Sequence, residues 1–162
     1  MFKILDNHRK HPIFWNLETR LEYSKRFIEP LEHWLAQGFG NCDLAEPELS
    51  RIVEVSLRYH DGERYLLDEY VIMPNHVHCL ILPSTGMWLK LILKGWKSYS
   101  SREINVLKGT KGRFWMEENF DRIVRDPSEL ERYRAYIREN PVRAKLEGTH
   151  KYRIGCGMGI QS

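Results

Sequence analysis

Apolar and polar positions along this chain of 162 residues change period more than once. Over residues 17–38, Leu21, Ile28, Leu31, Trp34 and Leu35 return at helical spacing, and Gly38 fits just past a C-cap. Pro30 interrupts that pattern, so a kinked helix or two shorter ones are predicted. After a loop over 40–47, residues 48–60 place Leu49, Ile52, Val53 and Leu57 on one stripe, and Asp61-Gly62 ends the helix. The pattern then turns strand-like. Tyr70-Val71-Ile72-Met73 and His76-Val77-His78-Cys79-Leu80-Ile81-Leu82 flank the turn residues Pro74-Asn75, and Pro83 stops the second run. Two strands about a tight turn predict an antiparallel pair, and their apolar character on both faces predicts a sheet covered by helices.

Residues 86–105 read as a helix whose apolar side is Leu89, Ile92, Leu93, Trp96 and Tyr99, with Lys90, Lys94 and Lys97 along another face. Phe114-Trp115 and residues 120–125 read as a return to extended chain. A last helix opens with Asp126 as N-cap, Pro127 at N1 and Glu129 at N3. It is expected to end near Glu139, because Pro141 biases Asn140 away from helical geometry. The predicted fold class is α+β, an antiparallel β-sheet packed with α-helices, as a single domain over 1–162.

Composition narrows the class. With 42% hydrophobic and 29% charged residues and a mean hydropathy of -0.53, the chain has material for a real core, which excludes disordered and fibrous architectures. No uncharged apolar run reaches the length of a membrane span, and residues 1–10 lack a signal-peptide core, so the expected location is the cytosol. Cys42, Cys79 and Cys156 are odd in number and widely spaced, which argues for reduced thiols over a disulfide framework or a CxxC zinc site. Net charge is only +3, but it is divided unevenly: residues 1–83 hold 9 Lys and Arg against 13 Asp and Glu, and residues 84–162 hold 16 against 9. The basic second half has the footprint of a polyanion binder, although a merely solvated basic face explains the same numbers.

Two histidines separated by one residue on a strand point to one face, so His76 and His78 are placed to share a metal ion or a phosphate. The bland alternative is a satisfied pair at a strand edge, against which stands the cost of two polar rings in an apolar strand. His8, His11, His33, His60 and His150 lack such company and read as surface residues. On the last helix, Leu130, Tyr133 and Ile137 form the buried stripe. Tyr136 lies at its edge with Asn140 one turn beyond. Tyr133 is the better core residue and Tyr136 the better reactive one.

The ordered set Met73-Pro74-Asn75-His76-Val77-His78, Leu93-Lys94-Gly95-Trp96-Lys97-Ser98, Arg113-Phe114-Trp115, Phe120 to Asp126, and Tyr136-Ile137-Arg138-Glu139-Asn140-Pro141-Val142-Arg143-Ala144 resembles the IS200-like single-tyrosine transposases, most of all their REP-associated branch. The resemblance spans about 48–148. It implies a ferredoxin- or RRM-like HUH nuclease fold, a metal motif at His76 and His78, a nucleophile at Tyr136 and a further polar metal ligand at Asn140. Relatives use Mg²⁺ or Mn²⁺, whereas imidazole donors alone point to manganese or zinc. The implied reaction is nicking and joining of single-stranded or hairpin DNA through a 5′-phosphotyrosine, in a cytoplasmic, nucleoid-associated protein that could work as a homodimer. Lys90, Lys94, Lys97, Arg102, Lys108, Lys111 and Arg113 are the candidate phosphate contacts. Trp96 and Trp115 could stack a base, with core packing the stronger reading for both.

The resemblance departs at the N-terminus. Relatives begin with a strand ahead of the first helix, and within residues 1–16 only 11–15 offers one, short and begun by a proline. Residues 1–45 are therefore expected to be atypical, and without that strand the chain reads as a truncated copy whose sheet lacks a member. Two rivals to the strand-transfer reading are a non-catalytic module that holds structured single-stranded DNA, and a metal-dependent hydrolase whose nucleophile is water.

Overall fold

Pro47 opens the first helix, α1 (Pro47–Arg58), at a position where its missing N–H costs nothing. In this computed structural model, which describes residues 41–117, 119 and 121–160, α1 buries Leu49, Val53 and Leu57, the stripe read from the sequence. There follow β1 (Tyr65–Ile72), β2 (Val77–Pro83), α2 (Leu89–Lys108), α3 (Pro127–Arg143) and β3 (Arg153–Cys156). The strands form an antiparallel sheet in the order β2-β1-β3. The predicted helix over 17–38, the strand over 11–15 and the histidines at 8, 11 and 33 lie outside the described residues.

Strand alternation sorts the side chains into two layers. Leu67, Tyr70 and Ile72 of β1 and Val77, Cys79 and Ile81 of β2 pack against α1 and α2. Val71, Met73 and Leu80 pack on the opposite face against Leu130 and Ile137 of α3. The sheet is thus covered on both faces, as its apolar strands require. Because His76 and His78 share the parity of Leu80, the α3 layer is the one that can meet them.

Several boundaries differ from expectation for identifiable reasons. β1 begins at Tyr65 rather than Tyr70 because two mid-strand carboxylates, Asp68 and Glu69, hide its alternation. In α2, Tyr99 is exposed, and Ser100 and Ile104 continue the buried side in its place. Helix α3 runs through Pro141 to Arg143 instead of stopping near Glu139. Proline removes one helical donor, and the Ala144 N–H still reaches the Asn140 carbonyl at 3.1 Å, so the turn persists. Residues 121–125 carry no regular element. β3 had no sequence signal of its own. It lies against β1 where Gly155 faces the Tyr70 hydroxyl so closely that a Cβ there would sit 2.4 Å from it.

A bulge in β1 determines how α3 is seated. Leu67 pairs with Ile81 and Tyr70 with Cys79, so β1 spends three residues where β2 spends two. The extra residue lets Asp68 and Glu69, neighbours in sequence, both reach α3. Asp68 accepts from Arg134 at 2.7 and 3.0 Å, and Glu69 accepts from Arg138 at 3.0 and 2.9 Å. The Asp68–Arg134 pair is largely buried, and Arg134 also donates to the Ile160 carbonyl at 2.8 Å.

On the other face, the Tyr65 hydroxyl donates to the Leu57 carbonyl at 2.8 Å and accepts from the Trp96 indole at 2.9 Å. The Tyr70 hydroxyl donates to Glu54 at 2.7 Å. Burial pushes both phenols up to about 12.

Asp68→Ala takes the bidentate partner from the mostly buried Arg134 guanidinium, leaving it Glu131 and the Ile160 carbonyl, and should cost about 2 kcal/mol in urea unfolding. Arg138→Ala, at an exposed pair, should barely move the midpoint. The tyrosines predict alkaline lability: the unfolded phenol titrates near ~10, so between there and about 12 the fold holds protons that the unfolded chain releases. Unfolding midpoints should fall across that window, and Tyr65→Phe should flatten the fall.

Candidate active site

His76 ends the turn after Pro74-Asn75, and its carbonyl accepts from the Met73 N–H at 2.8 Å, which closes the hairpin. Two residues on, His78 sits on the same face, and the ring centroids lie 4.6 Å apart with planes at 78°. Both rings are buried. Tyr136 of α3 comes edge to face with His78, centroid to centroid 5.3 Å. One chain therefore supplies both the imidazole pair and the phenol. Asn140 is buried one helical turn beyond Tyr136 and hydrogen bonded to it.

Four influences act on the Tyr136 hydroxyl. Burial, the largest, raises its pKa, the Asn140 hydrogen bond and the positive charge of Arg143 pull it down, and Tyr133 adds the smallest, an upward push, leaving it above the ordinary value. The Asn140 effect has the sign of a side-chain amide donating to the phenolic oxygen. Tyr133 is packed in the α3-side core, with Arg122 and Arg132 each 5.7 Å from its ring centroid. Both tyrosines are half-buried, so burial does not draw the expected division into a core Tyr133 and an edge Tyr136; their neighbours separate them, the apolar cluster for Tyr133 and His78 for Tyr136.

The donors available to a metal are few. Among the described residues no three His, Cys, Asp or Glu side chains cluster as a metal site. What converges is two imidazoles, with the Asn140 amide beside the phenol. Such a set suits a divalent ion that takes its remaining ligands from water and phosphate oxygens, as ions working on nucleic acids do. His76 Nδ1 lies 2.6 Å from the Asn75 Oδ1. An amide oxygen only accepts, so in this contact Nδ1 is the donor, the ring tautomer in which Nε2 is the metal-ligating nitrogen. Asn75 reads in the sequence only as a turn residue, and its second role has no sequence signal.

The seven candidate phosphate contacts are elsewhere. Lys90, Lys94, Lys97, Arg102 and Lys108 belong to α2, and Lys111 and Arg113 to the loop after it. That helix packs on the face of the sheet away from His76, His78 and Tyr136. Four of the seven have partners within the fold. Lys97 donates to the Met116 and Glu117 carbonyls at 2.6 and 3.1 Å, Arg102 pairs with Glu103 at 2.9 Å, Lys108 pairs with Asp43, and Arg113 pairs with Glu117 at 2.9 Å. Lys90, Lys94 and Lys111 are exposed. Trp96 and Trp115 are core residues, their indoles donating to Tyr65 at 2.9 Å and Ser100 at 2.8 Å. Arg143 is a cation beside the tyrosine that sequence reasoning missed, since the helix was expected to stop before it.

Among the described residues no helix is long and apolar enough to cross a membrane. None of the three cysteines forms a disulfide, and burial pushes the Cys79 thiol up to about 12. No curated protein and no solved structure matches the chain. A family model described as "Transposase IS200 like" matches residues 45–140, a span that holds α1, the sheet's two long strands, α2 and α3 as far as Asn140. With more than half of its length inside that match, the chain belongs to the IS200-like transposase family, whose work is the transposition of DNA.

Proposed function

We propose that this transposase nicks and rejoins single-stranded DNA through a covalent 5′-phosphotyrosine at Tyr136, on hairpin substrates of the REP type. The observation that carries the reading is the meeting of one phenol with two imidazoles, 5.3 Å between the Tyr136 and His78 centroids, inside a single chain. The half-buried Tyr136 stands beside the apolar cluster of Leu130 and Ile137 and turns its ring to the histidines.

In this reading His76 and His78 hold a divalent ion, Mg²⁺ or Mn²⁺, with the oxygen of Asn140 as a further ligand. The ion's contribution is to offset charge on the scissile phosphate and on the leaving oxygen. The chain's own residues do the rest. Asn140 donates to the phenolic oxygen and stabilises it as its proton passes to water. The Tyr136 oxygen then attacks phosphorus, the bond to the 3′ oxygen breaks, and that oxygen takes a proton to become a free 3′-hydroxyl. The phosphodiester energy stays in the tyrosine ester, so rejoining is the reverse attack by a 3′-hydroxyl and needs no ATP. The protein acts where such DNA is, in the cytoplasm at the nucleoid. The exposed lysines of α2 suit contacts to a hairpin stem outside the cleavage centre.

Purified protein incubated with hairpin DNA and Mn²⁺ should give a denaturation-resistant adduct that is absent with EDTA and in Tyr136→Phe. Binding without any adduct would support the non-catalytic module. Cleavage that survives Tyr136→Phe but not His76→Ala would support a hydrolase using water. A second measurement isolates the donor set: Asn75→Ala should weaken Mn²⁺ binding roughly 10- to 100-fold and remove the fixed Nδ1–H tautomer of His76 from ¹⁵N imidazole spectra.

A further inference from the structure

Helix α3 does not stop at Glu139, and its continuation through Pro141 adds a third residue to the stripe that carries Tyr136. At 100° per residue Asn140 lies roughly 40° round from Tyr136, and Arg143, seven residues on, returns to within roughly 20° of it. The Arg143 guanidinium is 5.4 Å from the Tyr136 ring centroid. Its Nη2 donates to the Glu139 carboxylate at 2.8 Å, in a pair whose two side chains are both more than half exposed. Arg143 also lies beyond the family match, which ends at residue 140.

A guanidinium carries five donors in a planar fork suited to two oxygens of one phosphate. An exposed pair to a single carboxylate is weak and easily exchanged. The cation is thereby kept over the phenol, on its solvent side, without being consumed by a buried partner. Of the charged side chains described, it is the one placed over this ring. We propose that Arg143 binds a phosphate of the DNA strand seated at Tyr136, and that Glu139 holds it in place until that phosphate displaces the carboxylate. The identity of the anion as a DNA phosphate rests on the strand-cutting reading above; the site itself rests on the stripe and on the exchangeable pair.

The test is equilibrium binding of a labelled single-stranded oligonucleotide of mixed sequence to protein in a Tyr136→Phe background, across a series of salt concentrations. Arg143→Gln should weaken binding about tenfold and reduce the slope of log affinity against log salt by about 0.7, the share of one phosphate contact on a single strand. Glu139→Gln should tighten binding, because the competing charge is gone. Arg51→Gln removes an exposed cation of α1, on the opposite layer, and should change neither quantity. An Arg143→Gln protein whose affinity and slope equal those of the Arg51→Gln control would overturn the phosphate site. Unchanged or weaker binding by Glu139→Gln would overturn the displacement of that carboxylate by phosphate. Since none of these readouts needs cleavage, a wild-type protein that forms no adduct but loses affinity on Arg143→Gln would refute the nuclease and retain the site.

Discussion

The ion pair between Asp68 and Arg134 decides where the helix that carries Tyr136 lies. A sheet face and a helix can slide along one another when only apolar side chains meet, because dispersion and burial have little directional content. A bidentate carboxylate–guanidinium pair does have direction, with two donor–acceptor distances of 2.7 and 3.0 Å fixing position and rotation together. Glu69 and Arg138 repeat the contact one helical turn further along. Tyr136 lies between the two arginines in sequence. The height of its ring above His78 is set by this pair of contacts, and they exist because one extra residue in β1 turns consecutive carboxylates to the same helix.

That dependence explains which parts of the molecule were legible. The α1 stripe of Leu49, Val53 and Leu57, the hairpin about Pro74-Asn75, the capped start of α3 at Asp126 and the shared face of His76 and His78 all follow from period and turn chemistry, which act locally. What stayed hidden needed a partner distant in sequence. Asp68 and Glu69 look like interruptions until Arg134 and Arg138, 66 and 69 residues away, answer them. β3 has four residues and gains its place from the free edge of β1 and from the absence of a side chain at Gly155. The continuation of α3 past Pro141 was missed because the rule about the residue before proline is a bias, and here a buried Asn140 and Pro141 hold the turn.

The charge asymmetry of the sequence also divides in space in a way that net charge cannot reveal. The lysines of α2 lie on one layer and the imidazole–phenol group on the other, with the sheet between them. Several of those cations also serve the fold: Lys97 closes the loop at Met116 and Glu117, and Lys108 ties α2 to Asp43. A basic half-chain is therefore two populations, one structural and one exposed, and only the exposed one can exchange its partner for phosphate. The same distinction separates Arg134, buried against Asp68, from Arg143, exposed against Glu139.

The environment of Tyr136 combines requirements that pull against each other. A phenol held in position by packing loses water, and the loss of water raises its pKa, which opposes its ionisation. Full exposure would relieve that penalty but leave the ring free to rotate. The half-buried setting at the edge of the α3 stripe retains the packing, and the opposing effects of Asn140 and Arg143 return part of the acidity that burial removes. All three residues come from one helix at spacings of four and seven. Whatever seats α3 on the sheet thus seats the phenol, its hydrogen-bonding amide and its cation as one unit, and a displacement at Asp68 would move all of them relative to the histidines without breaking any contact among them.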